Sequence, residues 1–163
     1  MVAVVRDGLR AAHLRPEDLQ LGMPVEVVVA GHGEAVDNVA TLAEAGVRTV
    51  LTRYGQALGN LVLLDSLPVS GVEMAGSLVR ATAQKPESVV RSAVASMLPL
   101  IRRAGAAVVA AGLDEGEQAI WWREAGADSA RGAALAPPAA PQHIPALLRA
   151  LARHHPKERR GSP

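Results

Sequence analysis

The chain has 163 residues, of which 49% are hydrophobic and 20% charged, and its formal net charge is +1. This length suits one domain with a real core, and the balanced charge gives no electrostatic reason to expect nucleic acid as a partner. The absence of cysteine excludes disulfides, thiolate metal sites and cysteine nucleophiles. Its longest uncharged stretch, Ala104 to Leu113, is shorter than a membrane span. We therefore expect a cytoplasmic protein with no membrane partner.

Helical stretches alternate with short apolar runs along the chain. The stretch from Val2 to Ala12 predicts a helix, because its apolar residues share one face. The apolar run Val25 to Ala30, broken only by Glu26, predicts a buried parallel strand that ends at Gly31. The pattern predicts further helices at 37–45, 59–66, 87–104, 115–125 and 144–155, and further strands at 47–51, 68–74, 106–111 and 127–134.

These elements make a βα repeat with about five strands. Such a repeat is typical of a parallel sheet or of part of a barrel, so we expect an α/β fold. Residues 1–155 are predicted to form one domain. Residues 156–163 are charged and turn-forming, and we expect them to be a disordered tail.

Two blocks of the sequence are similar to one family without gaps. Residues 52–79, T-R-Y-G-Q-A-L-G-N-L-V-L-L-D-S-L-P-V-S-G-V-E-M-A-G-S-L-V, resemble the part of EAL domains that reads roughly D-D-F-G-T-G-Y-S-S-L-x-x-L-x-x-L-P-V-D-x-L-K-I-D-x-S-F-V. Residues 108–138 resemble that family's V-V-A-E-G-V-E-T-x-E-Q and G-C-D-x-x-Q-G-Y segment. The resemblance implies a TIM-like barrel that hydrolyses cyclic di-GMP with a pair of divalent cations held by carboxylates.

The family's acidic positions carry other residues here. Its strand-end glutamate falls at Gly22, and its two adjacent aspartates fall at Thr52 and Arg53, where an arginine would repel a cation. The lysine that assists the attacking water falls at Glu73, and the glutamate of the A-E-G motif falls at Ala111. The resemblance therefore implies a chain without the carboxylates that hard cations require.

The remaining positions follow the same trend. The aspartate two residues after the lysine falls at Ala75, and the glutamine before the late glycine falls at Arg131. Only Asp114, at the family's final glutamate, keeps its charge. On this basis we expect no catalytic residue, no metal ligand and no cofactor, and we expect that the protein is not an enzyme.

The resemblance also implies a degenerate, truncated domain, because the family's first strands have no counterpart. Five strands cannot close a barrel, and exposed sheet edges invite pairing. We therefore expect a regulatory or scaffolding protein that works through protein–protein contact, with a second copy or another protein completing the barrel. The alternatives are a receptor that binds cyclic di-GMP without cleaving it and, less favoured, a residual phosphodiesterase.

Two groups of residues are candidates for binding. Three of them, Arg53, Tyr54 and Arg131, fall near the family's phosphate-binding rim and could hold an anion with Glu73 and Asp114 nearby. The alternative is that they are surface charges, or mutual partners for Glu73 and Asp114. Trp121 and Trp122 are adjacent on one predicted helix and so point about 100° apart. We expect one of them in the core and the other as a contact for a partner.

Overall fold

The computed structural model describes residues 1–56, 61–84 and 87–154. The predicted tail at 156–163 lies outside the described residues. Within the described ranges, no helix combines the length and the apolar character needed to cross a membrane.

Five parallel strands form the sheet, in the order in which they occur along the chain. The strands are β1 Gln20–Pro24, β2 Arg48–Tyr54, β3 Gly71–Met74, β4 Ala107–Ala111 and β5 Ser129–Arg131. Neighbouring strands are joined through helices, as parallel pairing requires. The sheet is open and is not a closed barrel, which confirms the predicted fold class.

Eight α-helices accompany the sheet in the described residues. They are α1 Val2–Ala11, α2 Val25–Ala30, α3 His32–Glu44, α4 Leu61–Ser66, α5 Gly76–Gln84, α6 Val89–Arg103, α7 Gly116–Ala125 and α8 Ile144–His154. Single 3₁₀ turns at Pro16–Asp18 and Pro141–His143 precede β1 and α8. Helix α5 has no counterpart among the predicted elements.

The predicted strand at Val25 to Ala30 is wrong, because these residues form α2. Val25 and Val28, three residues apart, are buried, whereas Val27 is 56% exposed. This is the spacing of one helical face, and a six-residue apolar run does not distinguish a helix from a strand. The strand at this place is β1, which ends at Pro24, directly before the helix.

The sheet has two different faces. Alternate residues such as Leu51, Val72 and Val108 are in register and fully buried in the main core. The residues between them point to the opposite side, and those near the carboxyl ends of β2 to β5 remain partly or fully exposed. We call this side the open face, and near its carboxyl end it carries Thr52, Glu73, Val109, Ala111 and Arg131.

Candidate functional site

The carboxyl ends of the parallel strands lie at one edge of the sheet, where α/β proteins place their sites. On the open face at this edge, Nη2 of Arg131 donates to Oε2 of Glu73. Their strands, β5 and β3, are separated by β4, where Glu73 lies opposite Val109 and Arg131 lies opposite Ala111. The arginine side chain therefore crosses over β4 to reach its partner. The Glu73 side chain is only 19% exposed, whereas that of Arg131 is 65% exposed.

The backbone at Arg131 is held by the end of β4. Its carbonyl accepts hydrogen bonds from the N–H groups of Gly112, at 2.9 Å, and Leu113, at 3.2 Å. Ala111 lies opposite Arg131 on β4, and its small side chain places little bulk beside the arginine. A fixed backbone and a small neighbour together direct this guanidinium over the open face.

Arg53 lies in a β-bulge near the end of β2. The register between β2 and β3 shifts between Leu51 and Tyr54, so two residues of β2 oppose one of β3. Arg53 has φ of 60°, in the left-handed region that non-glycine residues rarely occupy. Its Nε lies 3.4 Å from Oε1 of Glu26, at the start of α2, and both side chains are about half exposed. Exposed pairs of this kind stabilise a fold by about 1 kcal/mol or less.

Tyr54 is placed away from the two arginines. Its side chain lies on the face of the sheet opposite the open face, within the main core, and has no exposed surface. Its hydroxyl has no hydrogen-bond partner among the described residues. Burial raises the pKa of the Tyr54 phenol to about 12. Tyr54 therefore contributes to packing in the main core and does not reach the open face.

Asp114 follows β4 in an exposed turn. Its N–H donates to Oε1 of Gln118 at 3.0 Å, and that side chain also accepts from Glu115, the residue before α7. Within the described ranges, Asp114 forms no ion pair with Arg131. The structure thus assigns the Asp114 backbone to the start of α7 and brings only Glu73 and Arg131 of the five predicted residues into contact.

The two tryptophans differ in burial. Trp122 is fully buried in the core, whereas Trp121 is half-buried. Their rings meet edge to face with centroids 5.2 Å apart. The guanidinium of Arg91 lies over the Trp121 ring, 4.6 Å from its centroid. One face of the Trp121 ring, the predicted partner contact, is therefore covered by Arg91 of α6.

The described residues do not fit the pair of divalent cations that the resemblance implies. Glu73, which supplies a carboxylate over the sheet, is already bound to the guanidinium of Arg131. Gly22 and Ala111, at two of the family's acidic positions, have no side-chain oxygen to offer. No group of three acidic or histidine side chains comes together within ranges 1–56, 61–84 and 87–154.

Glu26 is a residue of this edge that the sequence interpretation missed. The sequence pattern gives Glu26 no role beyond interrupting an apolar run. A lone carboxylate in such a run is the signal that could have identified it. Glu26 is the second residue after β1 and lies near the same sheet edge as Arg53.

Several solved structures resemble this fold. The PaMucR phosphodiesterase in complex with c-di-GMP is 21% identical with a TM-score of 0.79, and the alignment covers 88% of this chain and 57% of that one. The Xanthomonas citri FimX EAL domain in complex with c-di-GMP is 18% identical with a TM-score of 0.76, with coverages of 83% and 53%. Klebsiella pneumoniae BlrP1, in a calcium and c-di-GMP complex, is 24% identical with a TM-score of 0.73, with coverages of 80% and 33%.

These comparisons concern part of each relative, because the chain spans between a third and just over half of their lengths. A comparison with curated proteins finds no significant match. The family model for the EAL domain matches residues 1–138. This match, together with structural neighbours that include a phosphodiesterase and the EAL enzyme Bd1971, overturns the expectation that the protein is not an enzyme. The chain belongs to the EAL domain family.

Proposed function

We propose that the chain binds cyclic di-GMP at the carboxyl end of its sheet, with Arg53 and Arg131 donating to the two phosphates. The observation that carries this proposal is the exposed guanidinium of Arg131 on the open face, fixed at its backbone and by Glu73. A guanidinium has five N–H donors, so Arg131 can bind a phosphate while it keeps its bond to Glu73. The c-di-GMP complexes of PaMucR and FimX support the choice of ligand.

Arg53 supports the same proposal from the other side of the edge. A non-glycine residue at φ of 60° is strained, and such strain is concentrated at functional sites. Its pair with Glu26 is exposed, and water screens such pairs. An incoming phosphate can therefore replace Glu26 at little cost.

Isothermal titration calorimetry of the full chain with cyclic di-GMP tests the proposal. We expect Arg53→Gln and Arg131→Gln each to weaken binding by about tenfold or more, as charge-assisted hydrogen bonds do. Arg10→Gln is the matched control, because it removes an arginine from an exposed ion pair with Asp7 on α1. The absence of binding heat at high-micromolar nucleotide would reject the proposal.

A second candidate function is protein–protein contact through the open sheet. The supporting observation is that β1 and β5 each pair on one side only within the described part of the chain. Unpaired strand edges are templates for pairing, and the occupant that we propose is a second copy of the chain. Light scattering that finds a stable monomer in dilute solution would reject it.

We also propose a cytoplasmic location for the chain, which the absence of cysteine supports.

A further inference from the structure

An internal ion pair occupies the region where the resemblance implies cations. Glu73 lies at the position of the family's lysine, and Arg131 lies at the position of its late glutamine. The acid that would stand between them is replaced by Ala111, which lies opposite Arg131 in the register of β4 and β5. The three differences are spatially connected, because Arg131 lies opposite Ala111 in the register and its guanidinium pairs with Glu73.

The charges of this edge favour a guanidinium over a metal ion. A divalent cation needs several oxygen ligands, and carboxylates supply most of them in proteins. Glu73 offers one carboxylate, and Arg131 already neutralises it. Arg53 adds a second positive group at the same edge of the sheet. A cation placed here would therefore meet two guanidinium groups and two carboxylates, Glu26 and Glu73, that are already paired with them.

We propose that the Arg131–Glu73 ion pair replaces bound divalent cations in this chain. The pair connects β5 to β3 across β4, and its guanidinium supplies the fixed positive charge that a phosphate needs. Binding of cyclic di-GMP then requires no metal ion. This inference rests on the proposed function, and it adds that the site is independent of divalent cations.

Calorimetry in the presence of a chelator tests the inference. The full chain is titrated with cyclic di-GMP in EDTA and again in excess Mn²⁺ or Mg²⁺. We expect dissociation constants that agree within about twofold, because neither partner needs the ion. Tight binding that occurs only with the metal would overturn the inference and leave the proposed function standing. Absence of binding in both buffers would reject the proposed function instead.

The role of the ion pair in the fold is measured independently of any nucleotide. Urea unfolding compares Glu73→Gln, Arg131→Gln and the double variant. We expect the double variant to lower the unfolding midpoint by less than the sum of the two single changes, since each single change already breaks the pair. Additive shifts would overturn the inference. A rise in melting temperature on adding Mn²⁺ to the unmodified chain would also overturn it, because that rise would report metal binding to the folded state.

Discussion

Gly132 lies so close to Leu113 that a Cβ atom at position 132 would overlap the Leu113 backbone. This contact joins the turn after β4 to the end of β5, where Leu113 also donates its N–H to the carbonyl of Arg131. Gly132 has φ of 153°, a conformation that side chains disfavour. The position of Arg131 on the open face thus depends on its glycine neighbour.

Replacing Gly132 with alanine should destabilise the fold strongly. The added methyl group would have to displace backbone, so we expect the free energy of unfolding to fall by about 3 kcal/mol or more. Urea unfolding followed by circular dichroism measures it. Gly8→Ala is the control, because Gly8 lies within α1 with nothing near its Cβ position. That change should stabilise the fold by roughly 0.5–1 kcal/mol. Equal effects of the two changes would contradict this account.

Replacing Arg53 separates its charge from its backbone strain. Both Arg53→Ala and Arg53→Gly remove the guanidinium, but only glycine accepts φ of 60° without strain. We expect the glycine variant to be more stable than the alanine variant by about 1 kcal/mol. Both variants should lose the same affinity for cyclic di-GMP. Urea unfolding and calorimetry on the two proteins check this, and a glycine variant that is the less stable would show that the bulge is unstrained.

The two tryptophans should respond differently to truncation. Trp122→Ala leaves a cavity in the core and should reduce the free energy of unfolding by about 3–5 kcal/mol. Trp121→Ala loses the ring contact with Trp122 and the stacking of Arg91, and should cost about 1–2 kcal/mol. Chemical unfolding of both variants measures the difference. A larger loss at Trp121 would contradict the assignment of Trp122 as the core residue.

The sequence patterns predicted a βα repeat with about five strands, because helical and strand periodicities depend on local chemistry. The glycines in E-A-G-V, R-A-G-A and E-A-G-A follow helices α3, α6 and α7. The structure gives Gly46, Gly105 and Gly126 positive φ angles of 86°, 82° and 106°, as helix ends require. The run Val25 to Ala30 was misassigned because its length and composition suit either element.

The site was harder to predict because its contacts join distant segments. Glu73 and Arg131 are 58 residues apart, and only the register of three strands brings them together. The contact between Arg53 and Glu26 also joins distant segments, and it depends in addition on the bulge in β2. Tyr54 adjoins Arg53 in sequence, yet the bulge places its ring on the opposite face of the sheet.

Tyr54→Phe should leave the fold at least as stable as the unmodified chain at neutral pH. The buried hydroxyl has no partner within the described ranges, so its removal eliminates an unsatisfied polar group at constant shape. We expect a change between zero and about 1 kcal/mol in favour of the variant. Urea unfolding at pH 7 measures it. A loss of more than about 1 kcal/mol would indicate a hydrogen bond to this hydroxyl.

The same variant should also change the stability at high pH. Burial raises the pKa of the Tyr54 phenol to about 12, whereas an unfolded tyrosine has a pKa near 10. Between these values the unfolded chain releases this proton and the folded chain keeps it, so the stabilisation is complete below pH 10 and declines as the pH rises towards 12. The full loss at this group amounts to about 3 kcal/mol, of which about 2 kcal/mol is reached by pH 11.5. Comparing urea unfolding of both proteins at pH 9 and pH 11.5 isolates it, because all other titrating groups are shared. Parallel losses in the two proteins would show that Tyr54 ionises as freely in the folded state as in the unfolded one.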